Sequence, residues 1–163
     1  MFKLSIVLSL IVLVGFINAQ TTPSTCYFNH AFLSFDLGGF ANQSFTYDYT
    51  AQSEVFNFNI CGPNAYCSQK LGYDVSACQE TSTDIINIGE PQSGVFSPLP
   101  TSSTVGVVLT VNSEGTRCQT NVPYTTIFYL VCDRDSPDTV YSAKVIENCT
   151  IKLFLKGKSA CPY

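Results

Sequence analysis

The sequence predicts an all-β domain, a flattened antiparallel β-barrel or sandwich stapled by disulfides. Three observations carry this. Short apolar–polar alternations recur between clusters of Gly, Pro, Asn, Asp and Ser, as in Phe56, Phe58 and Ile60 against Asn57 and Asn59. No segment of ten or more residues combines sustained helical periodicity with caps. The chain also carries eight cysteines, an even number, downstream of a segment that reads as a secretion signal.

That segment opens the chain. Met1-Phe2-Lys3 supplies one positive charge, Leu4 to Ile17 are predominantly apolar, and Ile17-Asn18-Ala19 ends the run on a small residue. Charge, length and ending together predict a signal peptide over residues 1–19. The run is shorter than the roughly 20 apolar residues of a membrane span. Residues 20–163 are then expected to form a single β domain, lumenal in the secretory pathway or secreted, and no Lys-Asp-Glu-Leu-type tail closes it.

The acidic balance, a formal charge of −4, leaves no basic stripe to neutralise phosphates, so nucleic-acid binding is not expected. In an oxidising compartment Cys26, Cys61, Cys67, Cys78, Cys118, Cys132, Cys149 and Cys161 read as four disulfides with none left over. Number alone leaves 105 connectivities open. Paired Cys-x₂-Cys spacings for zinc are absent.

In chain order, aromatic patterns at 31–36 and 44–49 flank a Gly38-Gly39 turn, and the strand at 56–60 runs into Cys61-Gly62-Pro63, where Gly-Pro stops it. Residues 62–82 read as a polar loop that Cys67 and Cys78 close on itself. A short strand at 84–88 precedes a long Pro-, Ser- and Gly-rich connection at 89–104. Val105, Val107, Leu109 and Val111 alternate before a turn at Asn112–Gly115. Thr125 to Val131 are β-branched, aromatic or leucine throughout, the composition of a strand covered on both faces. Further strands at 139–147 and 150–155 follow the turn at 133–138. The simplest arrangement of Cys118–Cys161 is an antiparallel meander whose disulfides tie neighbouring strands.

Asn42-Gln43-Ser44 and Asn148-Cys149-Thr150 satisfy the N-glycosylation rule. His30 is the only histidine and no Gly-x-Ser-x-Gly elbow exists, so an enzyme is not expected. Asp133, Asp135 and Asp138 have the oxygen-rich character of a calcium loop, but such spacing is usual in solvated turns. No cofactor and no metal site are expected. Glu80, Glu90, Glu114 and Glu147 are scattered in sequence, which places no carboxylate pair for glycoside hydrolysis.

The order Cys61-Gly62-Pro63, Ala77-Cys78-Gln79, a strand ending at Cys132, then Cys149 and Ala160-Cys161-Pro162, resembles the mannose 6-phosphate receptor homology (MRH) domain, a flattened β-barrel lectin. The resemblance covers about residues 26–163. It implies the disulfides Cys26–Cys61, Cys67–Cys78, Cys118–Cys149 and Cys132–Cys161, and a mannose-type glycan site built from Gln, Arg, Glu and Tyr. Such groups pair with the hydroxyls of a terminal sugar, and the arginine adds a rigid fork of donors. Gln79 stands where the family glutamine is expected, and Glu147 lies close to the expected glutamate but out of register. Tyr124 occupies the arginine position, eight residues before Cys132, and Ile151 the tyrosine position. Arg117 and Arg134 are offset. The resemblance therefore implies an altered site of Gln79, Glu147 and Tyr124 that takes glycans or glycoproteins, with a vestigial pocket on a protein-interaction or structural module as the other reading. A solvent-facing Tyr124 beside Gln79 favours the first, and a buried one the second.

Overall fold

A computed structural model of the chain describes residues 26–100, 105–146 and 149–163. The predicted signal segment, Glu147 and Asn148 lie outside the described residues. The strands are β1 (Tyr27–His30), β2 (Leu33–Asp36), β3 (Phe45–Tyr49), β4 (Glu54–Phe58), β5 (Ala77–Glu80), β6 (Ile85–Gly89), β7 (Val95–Pro98), β8 (Gly106–Gln119), β9 (Val122–Cys132), β10 (Thr139–Ile146) and β11 (Thr150–Gly157). Two short helices, α1 (Gly38–Ala41) and α2 (Ala65–Leu71), accompany them. The all-β class holds: a four-stranded sheet β3-β4-β5-β6 faces a five-stranded sheet β10-β11-β9-β8-β7, with the hairpin β1-β2 beside them.

Alternation dictates which side chains meet between the sheets. Phe45, Phe56, Phe58, Ala77 and Ile88 come from one sheet, and Val107, Leu109, Val111, Phe128, Leu130, Ile151, Leu153 and Leu155 from the other, all buried in one cluster. Phe58 and Phe128 touch across the interface with ring centroids 5.2 Å apart. At Gly89 the two sheets approach tightly. A Cβ there would overlap the Val111 side chain, so only glycine lets β6 lie against β8.

The predicted meander is replaced by another order. β10 and β11 form an antiparallel pair, but β11 then inserts between β10 and β9 and runs parallel to β9, from Thr150↔Thr125 to Gly157↔Cys132. Burying Ile151, Leu153 and Leu155 in the middle of the sheet outweighs local hairpin pairing, which would leave them on an edge. β9 is covered on one face only. Thr126, Phe128 and Leu130 are buried, while Thr125, Ile127, Tyr129 and Val131 are half-buried, and Tyr129 stacks on Phe154 with centroids at 4.8 Å.

Other departures are local. β8 runs through the predicted turn at Asn112–Gly115, where its register with β9 shifts between Asn112 and Arg117, so the turn residues form a bulge. The connection at 89–104 contains β7, and the hairpin partner β1 precedes the predicted first strand. Within the predicted loop at 62–82, α2 forms because the Asn64 side chain caps the Cys67 amide at 3.0 Å and Gly72 ends the helix at φ 82°. The four disulfides are Cys26–Cys61, Cys67–Cys78, Cys118–Cys149 and Cys132–Cys161, the pairs that the resemblance implies. Each typically contributes about 2–4 kcal/mol.

Candidate functional site

Gln79 is the third residue of β5. In register with it across the four-stranded sheet stand Tyr47, Phe56 and Ile86, so the row Tyr47–Phe56–Gln79–Ile86 crosses the inner face. Phe56 is wholly buried, and Gln79 itself is only 8% exposed. Its carboxamide makes no side-chain hydrogen bond among the described residues. That sets it apart. The other buried polar residues, Asn57, Asn64, Ser76, Asn87, Glu90, Ser113 and Thr126, are all hydrogen-bonded. Its oxygen and nitrogen are not among the buried side-chain atoms left without a partner, so the carboxamide keeps access to water or to a ligand at the margin of the core.

A buried, unsatisfied atom lies on the same face. Glu54 opens β4 opposite Tyr49, in phase with Phe56 and Phe58, and so points inward. Its Oε2 is buried and has no hydrogen-bond partner, and no cation pairs with it. Because Phe56 faces Gln79, Glu54 is the diagonal neighbour of Gln79, roughly 7–8 Å away at the backbone and closer between side chains. Tyr47 and Tyr49 are half-buried against the core, the Tyr49 ring 5.9 Å from Phe56. Asn59 Oδ1 is also buried without a partner, but it lies past the far end of β4, where the Asn59 amide donates to the Pro63 carbonyl. The sequence reading missed Glu54. The usable signal was phase: a carboxylate two residues before Phe56 and four before Phe58 belongs to the buried side of the strand.

Tyr124 lies on β9 in phase with Thr126 and Phe128, facing the shared core from the other sheet. It is half-buried, neither solvent-facing nor enclosed, and packs on the main cluster. Its backbone amide donates to Ser113 Oγ at 2.9 Å, but its phenol makes no hydrogen bond among the described residues. Gln79 and Tyr124 thus stand on facing sheets and make no hydrogen bond to each other. Ile151, at the family tyrosine position, is core. Arg134 donates to the Pro162 carbonyl at 3.1 Å, and Arg117 lies on the β8–β9 hairpin, so neither supplies the missing fork. Glu147 and Asn148 lie outside the described residues. Asn42 is exposed beside α1, where its amide donates to Gly38 O at 3.1 Å.

The other carboxylates are engaged elsewhere. Glu90 accepts from Asn87 Nδ2 at 2.9 Å and from the amides of Glu114 and Gly115, which pins the β8 bulge. Glu80, on the outer face, accepts from the Tyr66 hydroxyl at 2.8 Å, and this bond raises the phenol above its ordinary pKa. It borders a shallow cleft of about 440 Å³ lined by Lys70, Thr81 and Asp84 among others, on the side away from Gln79. In the turn at 133–138, Asp133 accepts from Ser136 and Lys156, and Asp138 from Ser159 and Gln43. His30 is exposed and stacks on Phe28. Among the described residues no group of three His, Cys, Asp or Glu side chains is arranged to hold a metal ion.

No protein-family model and no curated protein sequence matches the chain. Solved structures do. Domain 11 of the echidna mannose 6-phosphate/IGF2R receptor is 20% identical, with a TM-score of 0.58 over 84% of this chain and 94% of that one. The MRH domain of Yos9, solved in complex with α3,α6-Man5, is 13% identical, with a TM-score of 0.55 over 77% of this chain and 80% of that one. At such identities the likeness is one of fold: the chain is built as MRH domains are built.

Proposed function

We propose that this chain is a carbohydrate-binding domain of the secretory-pathway lumen or extracellular space, acting as a single MRH-like unit over residues 20–163 after cleavage of residues 1–19. It takes a mannose-type glycan at an altered site around Gln79, for which Tyr124 and Glu147 are the further candidates that the family resemblance offers. The observation that carries this reading is Gln79, largely buried on the inner face of the four-stranded sheet with a carboxamide that bonds to no side chain among the described residues. Both its donor and its acceptor are left for a ligand hydroxyl to pair with. The fold likeness to a domain solved with α3,α6-Man5 supports the ligand class. Tyr124 presents an aromatic edge with a free phenol where the family arginine is expected, so an apolar sugar face meets a ring in place of a charged fork. No helix among the described residues is long and apolar enough to cross a membrane.

A second reading has its own observation. Phe32, at the tip of the β1–β2 hairpin, is fully exposed, and Leu33 and Val95 are also exposed, a surface suited to a protein-interaction module.

The test is a glycan-array screen of the oxidised protein starting at Gln20, repeated with Gln79→Ala. Binding to mannose-terminated glycans that Gln79→Ala abolishes supports the lectin reading. Silence across the array, from protein with four intact disulfides, overturns it and leaves the interaction module.

A further inference from the structure

The inner face carries one carboxylate that nothing in the described protein neutralises. Glu54 Oε2 is buried without a hydrogen-bond partner, and the single ion pair among the described residues, Lys156–Asp133, belongs to the 133–138 turn. Glu54 is half-buried: one oxygen is sealed without a partner while the other stays open, so the carboxylate is fixed in place with accepting capacity unused. Its place is specific. Glu54 is the diagonal neighbour of Gln79, and both stand at the same end of the sheet, beside the turns at 50–53 and 81–84. Two polar groups with unused hydrogen-bonding capacity, one acceptor-only and one both donor and acceptor, therefore stand side by side on the face that carries Tyr47, Tyr49 and Phe56.

We propose that Glu54 is a second ligand-binding group of this site, accepting hydrogen bonds from the hydroxyl or ammonium donors of a neutral or amino sugar and excluding phosphorylated sugars. The inference rests on the glycan-binding reading above and deepens it. A carboxylate has acceptors only, so its ligand partner must donate, and sugar hydroxyls do. Beside the carboxylate an ammonium gains further, whereas a phosphate meets like charge with no cation paired to Glu54 to offset it. The absence of arginine at Tyr124 acts in the same direction. Charge at this mouth is one-signed, and it selects by sign.

The experiment is calorimetric titration at low salt with three probes: methyl α-mannoside, 2-amino-2-deoxymannose and mannose 6-phosphate. It is run on wild type, Glu54→Gln and Gln79→Ala, each with its melting temperature measured as a folding control. Wild type is expected to bind the amino sugar most tightly and mannose 6-phosphate at least about tenfold more weakly than methyl mannoside. Glu54→Gln should weaken the amino sugar about tenfold and remove both its advantage and the penalty on phosphate. If wild type prefers mannose 6-phosphate, or if Glu54→Gln leaves all three affinities within about twofold while Gln79→Ala abolishes binding, the role of Glu54 is overturned and the glycan site stands. If folded wild type binds no sugar at all, both fall together.

Discussion

The hydroxyl of Thr126 on β9 donates to the carbonyl of Ile88 on β6 at 2.7 Å, joining the two sheets through a buried side chain. Ile88 is the extra residue of a bulge, since Ala77 pairs with Gly89 and Cys78 with Asn87, which leaves no β5 residue opposite it. Thr126 answers the carbonyl that the ladder does not.

Thr126→Val keeps the shape and removes the donor. It is expected to cost about 1–3 kcal/mol, a drop of several degrees in Tm, because the Ile88 carbonyl stays buried and unpaired. Thr126→Ser should recover most of the loss. Thermal denaturation of both variants checks this, and equal Tm values for Val and Ser would refute it.

Gln79→Leu makes the opposite prediction for stability. Replacing a largely buried amide that bonds to no side chain with an apolar side chain of similar size is expected to raise Tm slightly while abolishing sugar binding. Glycan binding and a melting curve on the same sample decide it. A fall in Tm of the size seen for Thr126→Val would mean that the carboxamide is structural.

At Gly89 the constraint is steric. Gly89→Ala forces a Cβ into the Val111 side chain and is expected to destabilise by about 1–3 kcal/mol. Adding Val111→Ala to it should recover part of that loss, a coupling that a double-mutant cycle measures directly.

Asp133 gives a pH dependence. The bond from Ser136, with smaller help from Lys156 and the Asp135 amide, holds its carboxyl below the ordinary aspartate value despite some opposing desolvation. A depressed folded-state pKa means stability that is present above the unfolded value and lost as pH falls through the folded one. The Tm difference between wild type and Asp133→Asn is therefore expected near neutrality and should shrink as pH drops below about 4. A difference that persisted unchanged in acid would assign it to something other than ionisation.

Much of the fold was legible because its strands alternate. Phe56–Phe58 and Val107–Leu109–Val111 carry a period of two, and each proves to face the core; in Thr125 to Val131 an unbroken apolar and β-branched composition reads as two covered faces and hides that only Thr126, Phe128 and Leu130 turn inward. The parallel placement of β11 was not legible, since alternation says which face a strand buries and nothing about which neighbour it chooses. α2 escaped because its seven residues are too few for a helical period to show, and a side-chain cap together with a disulfide, Cys67–Cys78, holds it in place. β1 escaped because Tyr27, Asn29 and His30 are exposed and only Phe28 is tucked in. Of the site, Gln79 was reachable through the cysteine before it. Glu54 was not, because an isolated acid at the start of a strand reads as solvated until its phase with two phenylalanines is noticed.

The insertion of β11 has a consequence for how the chain is made. β11 follows β8, β9 and β10 in sequence yet takes an interior position, so until it docks β9 presents an open row of backbone donors and acceptors along its whole length. Cys149 and Cys161 flank that strand, and their partners Cys118 and Cys132 wait as thiols on β8 and β9 until it docks. Closure of the sheet therefore commits late: the pairs Cys118–Cys149 and Cys132–Cys161 wait on the docking of β11, and chains in which it has not docked expose a row of unpaired backbone groups prone to pairing with other chains.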